Sequence, residues 1–453
     1  MDHEMKPKTG FLSLAEELWL HILSFLSCKD ILRCTSVCKA LQQTYLSSSK
    51  LQYIVELSGQ RLSFPVPTKD DHTPTSERLQ LLRDRAHAWF KVDFHSSETV
   101  FIPEVPGYVD KFVADGHLYL WDAHEDKAAI IPILPKPSQQ RIKRNWSPGT
   151  LRPLHIPAAN LDVLMDPAQN LIASAYVIYV DNAEPGHLAR ETLHVDLIPL
   201  DGSIPLQAAG RTLIGLPENE NEITRTSMAK LKDYGKYIAL YRKVEVYSTS
   251  ELYTSCPRWK LQIWDRQHST TSNSVLSRCY SYRADNNVND FCFLGNNRLL
   301  VAIDMLELYS FEDMSQTPQL LARFVMPFQL LEIECILSTD DIAHTPQMPT
   351  ACTPDLRHQL LCLNASCATS TAQYQVYVIS TRIFFDFDGT MIEAPEIPWN
   401  HWGPSNARFF QHPFPPRIRI SGNRVLQANF FGWPSIHMMD FSPLAVTNRQ
   451  GLG

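Results

Sequence analysis

Glycine is scarce in this sequence, 17 residues in 453, while proline reaches 31. A chain with few glycines and many prolines joins its elements by longer, stiffened connections rather than tight turns. No stretch approaches the roughly 18–20 apolar residues of a membrane-spanning helix. The start, MDHEMKPKTG, lacks the apolar core of a signal peptide, so an intracellular protein, cytoplasmic or nuclear, is expected. In that setting the ten cysteines are expected as reduced thiols, and the acceptor pattern Asn364-Ala-Ser366 carries little meaning. Basic excess is missing too: 41 Lys and Arg stand against 48 Asp and Glu, a net charge of −7, which argues against a nucleic-acid binder. The densest basic spot, Arg141-Ile-Lys-Arg144, reads as a solvated loop. There is no GxGxxG, P-loop, HExxH or GxSxG. Cys352, Cys362 and Cys367 lack paired ligand spacing, and Cys28, Cys34 and Cys38 sit where small buried cysteines are commoner than ligands. No cofactor and no metal are expected.

What is present is ample core material, 44% hydrophobic and 10% aromatic, in a chain too long for one ordinary domain. Residues 13–26 read SLAEELWLHILSFL, with Leu14, Leu18, Ile22 and Phe25/Leu26 at the spacing of one helical face. Ser13 and Glu16 form a capping box. A second helix start stands at Ser27-Cys-Lys-Asp30, and a third can begin at Ser36. Apolar residues run nearly all round the first helix, from Leu12 to Leu26. Three short helices in under forty residues cannot bury all of that surface themselves. The rest of the chain or a partner protein must cover the remainder.

The stretch Leu14-Ala-Glu-Glu-Leu18, Ile22-Leu-Ser-Phe-Leu26, Asp30-Ile-Leu, Val37-Cys-Lys-Ala-Leu41 resembles the F-box motif. Ala15 stands where the motif usually has proline, and Leu41 where it has tryptophan. The resemblance implies an adaptor that binds Skp1, and the cullin indirectly, in a Skp1–cullin–F-box ubiquitin ligase. Carried over position by position, the implied Skp1 contacts are Leu14, Leu18, Ile22, Leu23, Leu26, Ile31, Leu32, Val37, Cys38 and Leu41. Each could equally serve only to hold the helices together.

The expected organisation is α+β and multidomain: residues 1–10 a flexible start, 11–50 the helical adaptor, 51–106 a linker with an amphipathic helix at 76–90, and 107–453 a mainly-β recognition domain. In the linker, Leu79, Leu82, Ala86 and Trp89 form a stripe behind Ser76. Its Leu51-x-Tyr53-x-x-Glu56-Leu57 segment and tryptophan-ended helix resemble F-box proteins of basidiomycete fungi, as do Asp166–Leu171 and Trp402–Ser405. From about residue 107 short β-rich runs alternate with Gly, Pro, Asn and Asp. Strand pairs are expected at 171–180 with 193–200, 236–246 with 259–265, 299–303 with 306–311, 360–363 with 373–379, and 424–431 with 435–441. Units recur loosely, and two end alike, Leu118-Tyr-Leu-Trp-Asp122 and Leu261-Gln-Ile-Trp-Asp265, an echo of a propeller blade end. A β-propeller of about six or seven blades fits best; a β-sandwich or an irregular β-solenoid is the alternative.

One string has catalytic form. Ile383-Phe-Phe-Asp386-Phe-Asp388-Gly-Thr matches the first motif of haloacid-dehalogenase-type phosphatases, whose two aspartates act as nucleophile and acid/base beside Mg²⁺. Such enzymes need a downstream α/β domain, and about 60 proline-rich residues cannot supply one. The string reads instead as a strand ending in an Asp-Gly turn, and Glu332 and Glu334 as a solvated face. The F-box resemblance therefore implies a non-enzymatic substrate receptor that holds an unidentified target protein on its β domain. A Skp1-bound adaptor outside ubiquitin transfer is the alternative.

Overall fold

The structure is a computed structural model that describes residues 14–60, 62, 73–91, 110–114, 116–122, 127–133, 142–147, 158–167, 169–180, 190–201, 210–217, 222–248, 255–279, 289–295, 297–337, 356–367, 374–387, 394–412, 414–429 and 435–442. Short N-terminal helices precede a β-rich region arranged as a six-bladed β-propeller. The helices are α1 (Glu16–Leu23), α2 (Cys28–Val37), α3 (Lys39–Ser47), α4 (Ser49–Gly59) and α5 (Thr75–Lys91).

The blades follow chain order. Blade I holds β1 (Asp110–Ala114), β2 (His117–Asp122), β3 (Lys127–Pro132) and β4 (Arg144–Trp146). Blade II holds β5 (Ala158–Asp166), β6 (Leu171–Val180), β7 (Arg190–Pro199) and β8 (Thr212–Ile214). Blade III holds β9 (Glu222–Tyr234), β10 (Tyr237–Ser248), β11 (Ser255–Asp265) and β12 (Val275–Cys279). Blade IV holds β13 (Asp290–Gly295), β14 (Arg298–Ala302), β15 (Leu306–Ser310) and β16 (Gln319–Phe324). Blade V begins with β17 (Leu330–Leu337), β18 (Leu360–Cys367) and β19 (Tyr374–Ser380). The chain then lays β20 (Glu396–Ile397) parallel to β16 on blade IV and turns through α6 (Trp399–Asn406). It returns as β21 (Ala407–His412), the fourth strand of blade V. Blade VI holds β22 (Arg417–Ser421), β23 (Arg424–Asn429) and β24 (Ser435–Asp440).

Apart from β20, which lies parallel to β16, and β21, which reaches β19 after an excursion, strands within each blade pair antiparallel with their sequence neighbours, so the register is set by hairpins. From blade II to blade VI the first strands of neighbouring blades lie side by side. Each inner blade is thus covered on both faces, which explains why β10 reads as the run Ile238-Ala-Leu-Tyr241 rather than as an alternation. Ile238 and Leu240 pack toward blade II with Trp264, while Ala239 and Tyr241 pack toward blade IV with Trp259 and Phe291. The excursion between β19 and β21 seals blades IV and V: Trp402 is 1% exposed, meets Phe324 at 5.6 Å and donates its indole N–H to the Val325 carbonyl at 3.1 Å.

Several expectations are corrected. The Trp-Asp pairs are not equivalent, because Trp121 lies on the second strand of its blade and Trp264 on the third. Arg144 is not in a solvated loop; it sits on β4, donates to the Pro199 and Leu200 carbonyls and stacks over Trp146. Residues Thr381–Phe385 form a 3₁₀ helix instead of a strand, since Phe384 turns inward against Phe324 and its carbonyl accepts from Arg298. The helical pattern was hidden there by consecutive aromatics that read as strand. Glu332 and Glu334 are exposed, as read.

Charged groups tie blades II, III and IV. Lys232 on β9 reaches Asp290 on β13 at 2.9 Å and the Phe291 carbonyl at 2.7 Å, while Asp290 also accepts the Cys335 N–H at 2.8 Å. Burial alone would push the Asp290 carboxyl up, but Lys232 and Lys230 hold it below its ordinary range. Arg278 on β12 meets the buried Glu307 on β15 at 2.7 Å, and Glu191 on β7 accepts from Thr226 on β9 at 2.9 Å. The carboxyls of Asp166 and Asp233 sit together under Gln169. Burial, then the charge and hydrogen bond of Asp166, push Asp233 well above the ordinary carboxylate range.

Asp290→Ala should cost about 3 kcal/mol, because it removes the counter-charge of Lys232 and leaves the Cys335 amide without its acceptor, and chemical denaturation measures it. Asp233 gives a pH signature. A carboxyl raised by folding stabilises fully below the ordinary carboxylate range, and that contribution fades as pH rises through its folded value. The melting temperature of Asp233→Asn should therefore lie above wild type at neutral pH and converge on it in acid.

Candidate partner interface

The site is built on α1 to α4, and the caps explain where these helices begin. Ser27 caps α2 as expected: its Oγ accepts the Asp30 N–H at 3.2 Å and donates to the Asp30 carboxylate at 2.7 Å. Side-chain hydrogen bonds to its carboxylate, from Ser27 first and from Arg33 at 3.2 Å next, hold the Asp30 carboxyl below its ordinary value. The start of α1 differs from expectation. Ala15 is its N-cap, with φ −64° and ψ 148° and no side-chain cap bond, and Ser13 lies outside the described residues. That φ is the one a proline ring imposes, so the alanine retains the backbone that the usual motif residue would fix. The third start also moves. Ser36 belongs to α2, where its hydroxyl donates to the Arg33 carbonyl, and the extended Cys38 precedes α3.

Behind the interface is a small core of Trp19, Leu23, Ile31, Leu41, Leu51, Ile54 and Val55. Its last three members come from α4, so the Leu51–Leu57 segment is helix and completes the packing of α1 to α3. On its other side α4 presents Tyr53 and Leu57 to Leu79 and Leu82 of α5. The Cys28 thiol faces the Val55 carbonyl at 3.8 Å, and burial pushes its pKa up, the environment of a packing residue.

The ten residues implied by the motif separate into three groups. Leu23, Ile31 and Leu41 are buried at 5% exposure or less, and they hold the helices together. Leu26 and Cys38 are half-buried against the same core. Leu14, Leu18, Ile22, Leu32 and Val37 are exposed, by 37% to 76%. Phe25, absent from the implied set, is 76% exposed, with its ring edge-on to His21 at 4.9 Å. The signal for it was in the spacing, since Leu18, Ile22 and Phe25 recur at i, i+4 and i+7. Leu18 and Trp19 are sequence neighbours, yet one points out and the other in. The unit is therefore apolar on two sides and has filled only one. Covering each half-exposed side chain of that size is worth about 1 kcal/mol.

The catalytic-looking string gathers no such site. Asp386 follows the 3₁₀ helix and is exposed, and Asp388 lies outside the described residues. Phe385 and Phe387 pack against the core between blades IV and V. Among the described residues no group of three or more His, Cys, Asp and Glu is placed to hold a metal. No described helix is long and apolar enough to cross a membrane.

Comparison with known proteins bears on the helical unit alone. Residues 11–44 match the F-box domain family. No curated protein matches the chain. Among solved structures, apo AztD from Citrobacter koseri is similar at 11% identity and a TM-score of 0.28, over 74% of this chain and 69% of that one. Prolyl oligopeptidase B from Galerina marginata is similar at 11% identity and a TM-score of 0.32, over 73% of this chain and 48% of that one. Hsv2 from Kluyveromyces lactis is similar at 10% identity and a TM-score of 0.19, over 49% of this chain and 87% of that one. Likenesses this low carry nothing about function. Residues 11–44 of this chain are an F-box domain, and the chain carries it on a six-bladed β-propeller, an architecture typical of non-enzymatic adaptors.

Proposed function

We propose that this chain is the substrate-recognition subunit of a Skp1–cullin–F-box ubiquitin ligase. The observation that carries the reading is the outward stripe Leu14, Leu18, Ile22, Phe25, Leu32 and Val37, on helices that match the F-box domain and whose opposite side already has a core. An apolar face of this kind is covered by a protein. In this reading a Skp1-like protein covers it, the cullin joins through that protein, and loops of the propeller hold a target protein. Leu23, Ile31 and Leu41 act indirectly, by keeping the face in shape; Leu26 and Cys38 border it. The chain performs no catalysis of its own, binds neither nucleic acid nor membrane, and works in the cytoplasm or nucleus. The fungal resemblance of Leu51–Leu57, Asp166–Leu171 and Trp402–Ser405 forms part of the same proposal.

Coexpression with a Skp1-type protein tests the face. Leu18→Asp and Ile22→Asp should leave the chain folded and abolish capture, because a buried unpaired charge costs several kcal/mol. Leu23→Asp should instead unfold the helical unit, visible as lost helical circular dichroism. Capture that survives both outward changes would refute the interface. Loss of polyubiquitin on copurifying proteins after deletion of residues 11–50 separates ubiquitin transfer from another Skp1-bound role.

A further inference from the structure

The last helix of the adaptor ends against the last blade of the propeller. The Gly59 carbonyl at the end of α4 is one of the acceptors a helix leaves unpaired within itself. It accepts two side-chain donors far away in sequence: the Asn423 amide at 3.2 Å and the Ser442 hydroxyl at 2.7 Å. Both donors are buried, at 4% and 8% exposure, and Gly59 is buried with them. Both are themselves held. Asn423 lies in the turn between β22 and β23, beside Gly422 at φ +55°, and its carbonyl accepts the Phe441 N–H at 2.9 Å. Ser442 follows β24, and its N–H donates to Asp440 at 2.8 Å, whose carboxylate meets Arg424 at 3.2 Å. The orientation of Asn423 is dictated by its partner. Only the NH₂ end can face a carbonyl, and the Oδ1 atom is left buried without a partner. A buried orphan oxygen is tolerated where the opposite end of the side chain does needed work.

We infer that Gly59, Asn423 and Ser442 form a strut that fixes the F-box against blade VI and so sets the distance and angle between the partner-binding face and the rest of the propeller. The inference rests on the proposed adaptor role, because a rigid offset matters where one partner must be held at a set reach from another. The strut is a noncovalent connection between two units that lie far apart in sequence. It also makes blade VI the blade nearest the helical unit, leaving blades II to IV farther from it along the chain of neighbouring first strands.

The test is a pair of spin labels on encoded unnatural residues at Lys29 on α2 and Ser277 on β12 of the full chain, read by pulsed dipolar spectroscopy. Wild type should give one narrow distance distribution. Asn423→Asp, which sets an oxygen against the Gly59 carbonyl at unchanged size, should broaden it, and Ser442→Ala should do so to a lesser degree. Equal widths in wild type and both variants overturn the inference. Should Asn423→Asp fail to fold, Ser442→Ala decides alone: hydrogen exchange in the last turn of α4 should accelerate about tenfold, the change expected for ~1.4 kcal/mol, and unchanged exchange overturns the inference. Capture of a Skp1-type protein by wild type is scored in parallel. Its absence defeats the adaptor role and leaves the distances to judge the strut independently.

Discussion

The constraint on which the rest depends is size. A helical unit of about forty residues cannot enclose all the apolar side chains its helices carry. Here one side closes on Trp19, Leu23, Ile31 and Leu41, with α4 supplying Leu51, Ile54 and Val55. The other side, from Leu14 to Val37, stays open. Fold and the proposed partner binding are two uses of the same amphipathic excess, divided by which way each residue faces. This is why Leu18 and Ile22 face outward while Leu23, one residue on, belongs to the core.

The propeller solves the same problem by closure of layers. In the inner blades the strand hairpins are apolar on both faces because another blade stands on each side. The polar exceptions are paired, on the first strands as elsewhere: Lys232 with Asp290, and Asp162 with the Leu231 amide at 2.6 Å. Polar groups there are not a solvent face but connections between blades. Such connections give register between blades that apolar packing alone leaves loose.

This explains what was legible in the sequence. Hairpins such as β10 with β11 and β18 with β19 show because their apolar runs and turn residues are local. The cap at Ser27 and the stripe at Leu18, Ile22 and Phe25 show for the same reason. The strand β9 (Glu222–Tyr234) did not, since its sequence EITRTSMAKLKDY is polar and its partners Asp162, Glu191 and Asp290 come from other blades. Nor did the inward or outward sense of the motif residues, because α4 decides it and α4 lies beyond the motif. The grip of Asn423 and Ser442 on Gly59 was beyond any local reading, spanning more than 360 residues of chain.

The central claim is that the outward face of the F-box, and not the propeller, receives a Skp1-like protein. Hydrogen–deuterium exchange of the full chain with and without a Skp1-type protein measures it most directly. The account predicts new protection in α1 and α2, within residues 14–38, with the blade strands unchanged. Protection confined to the propeller, or none anywhere at saturating partner, would contradict it.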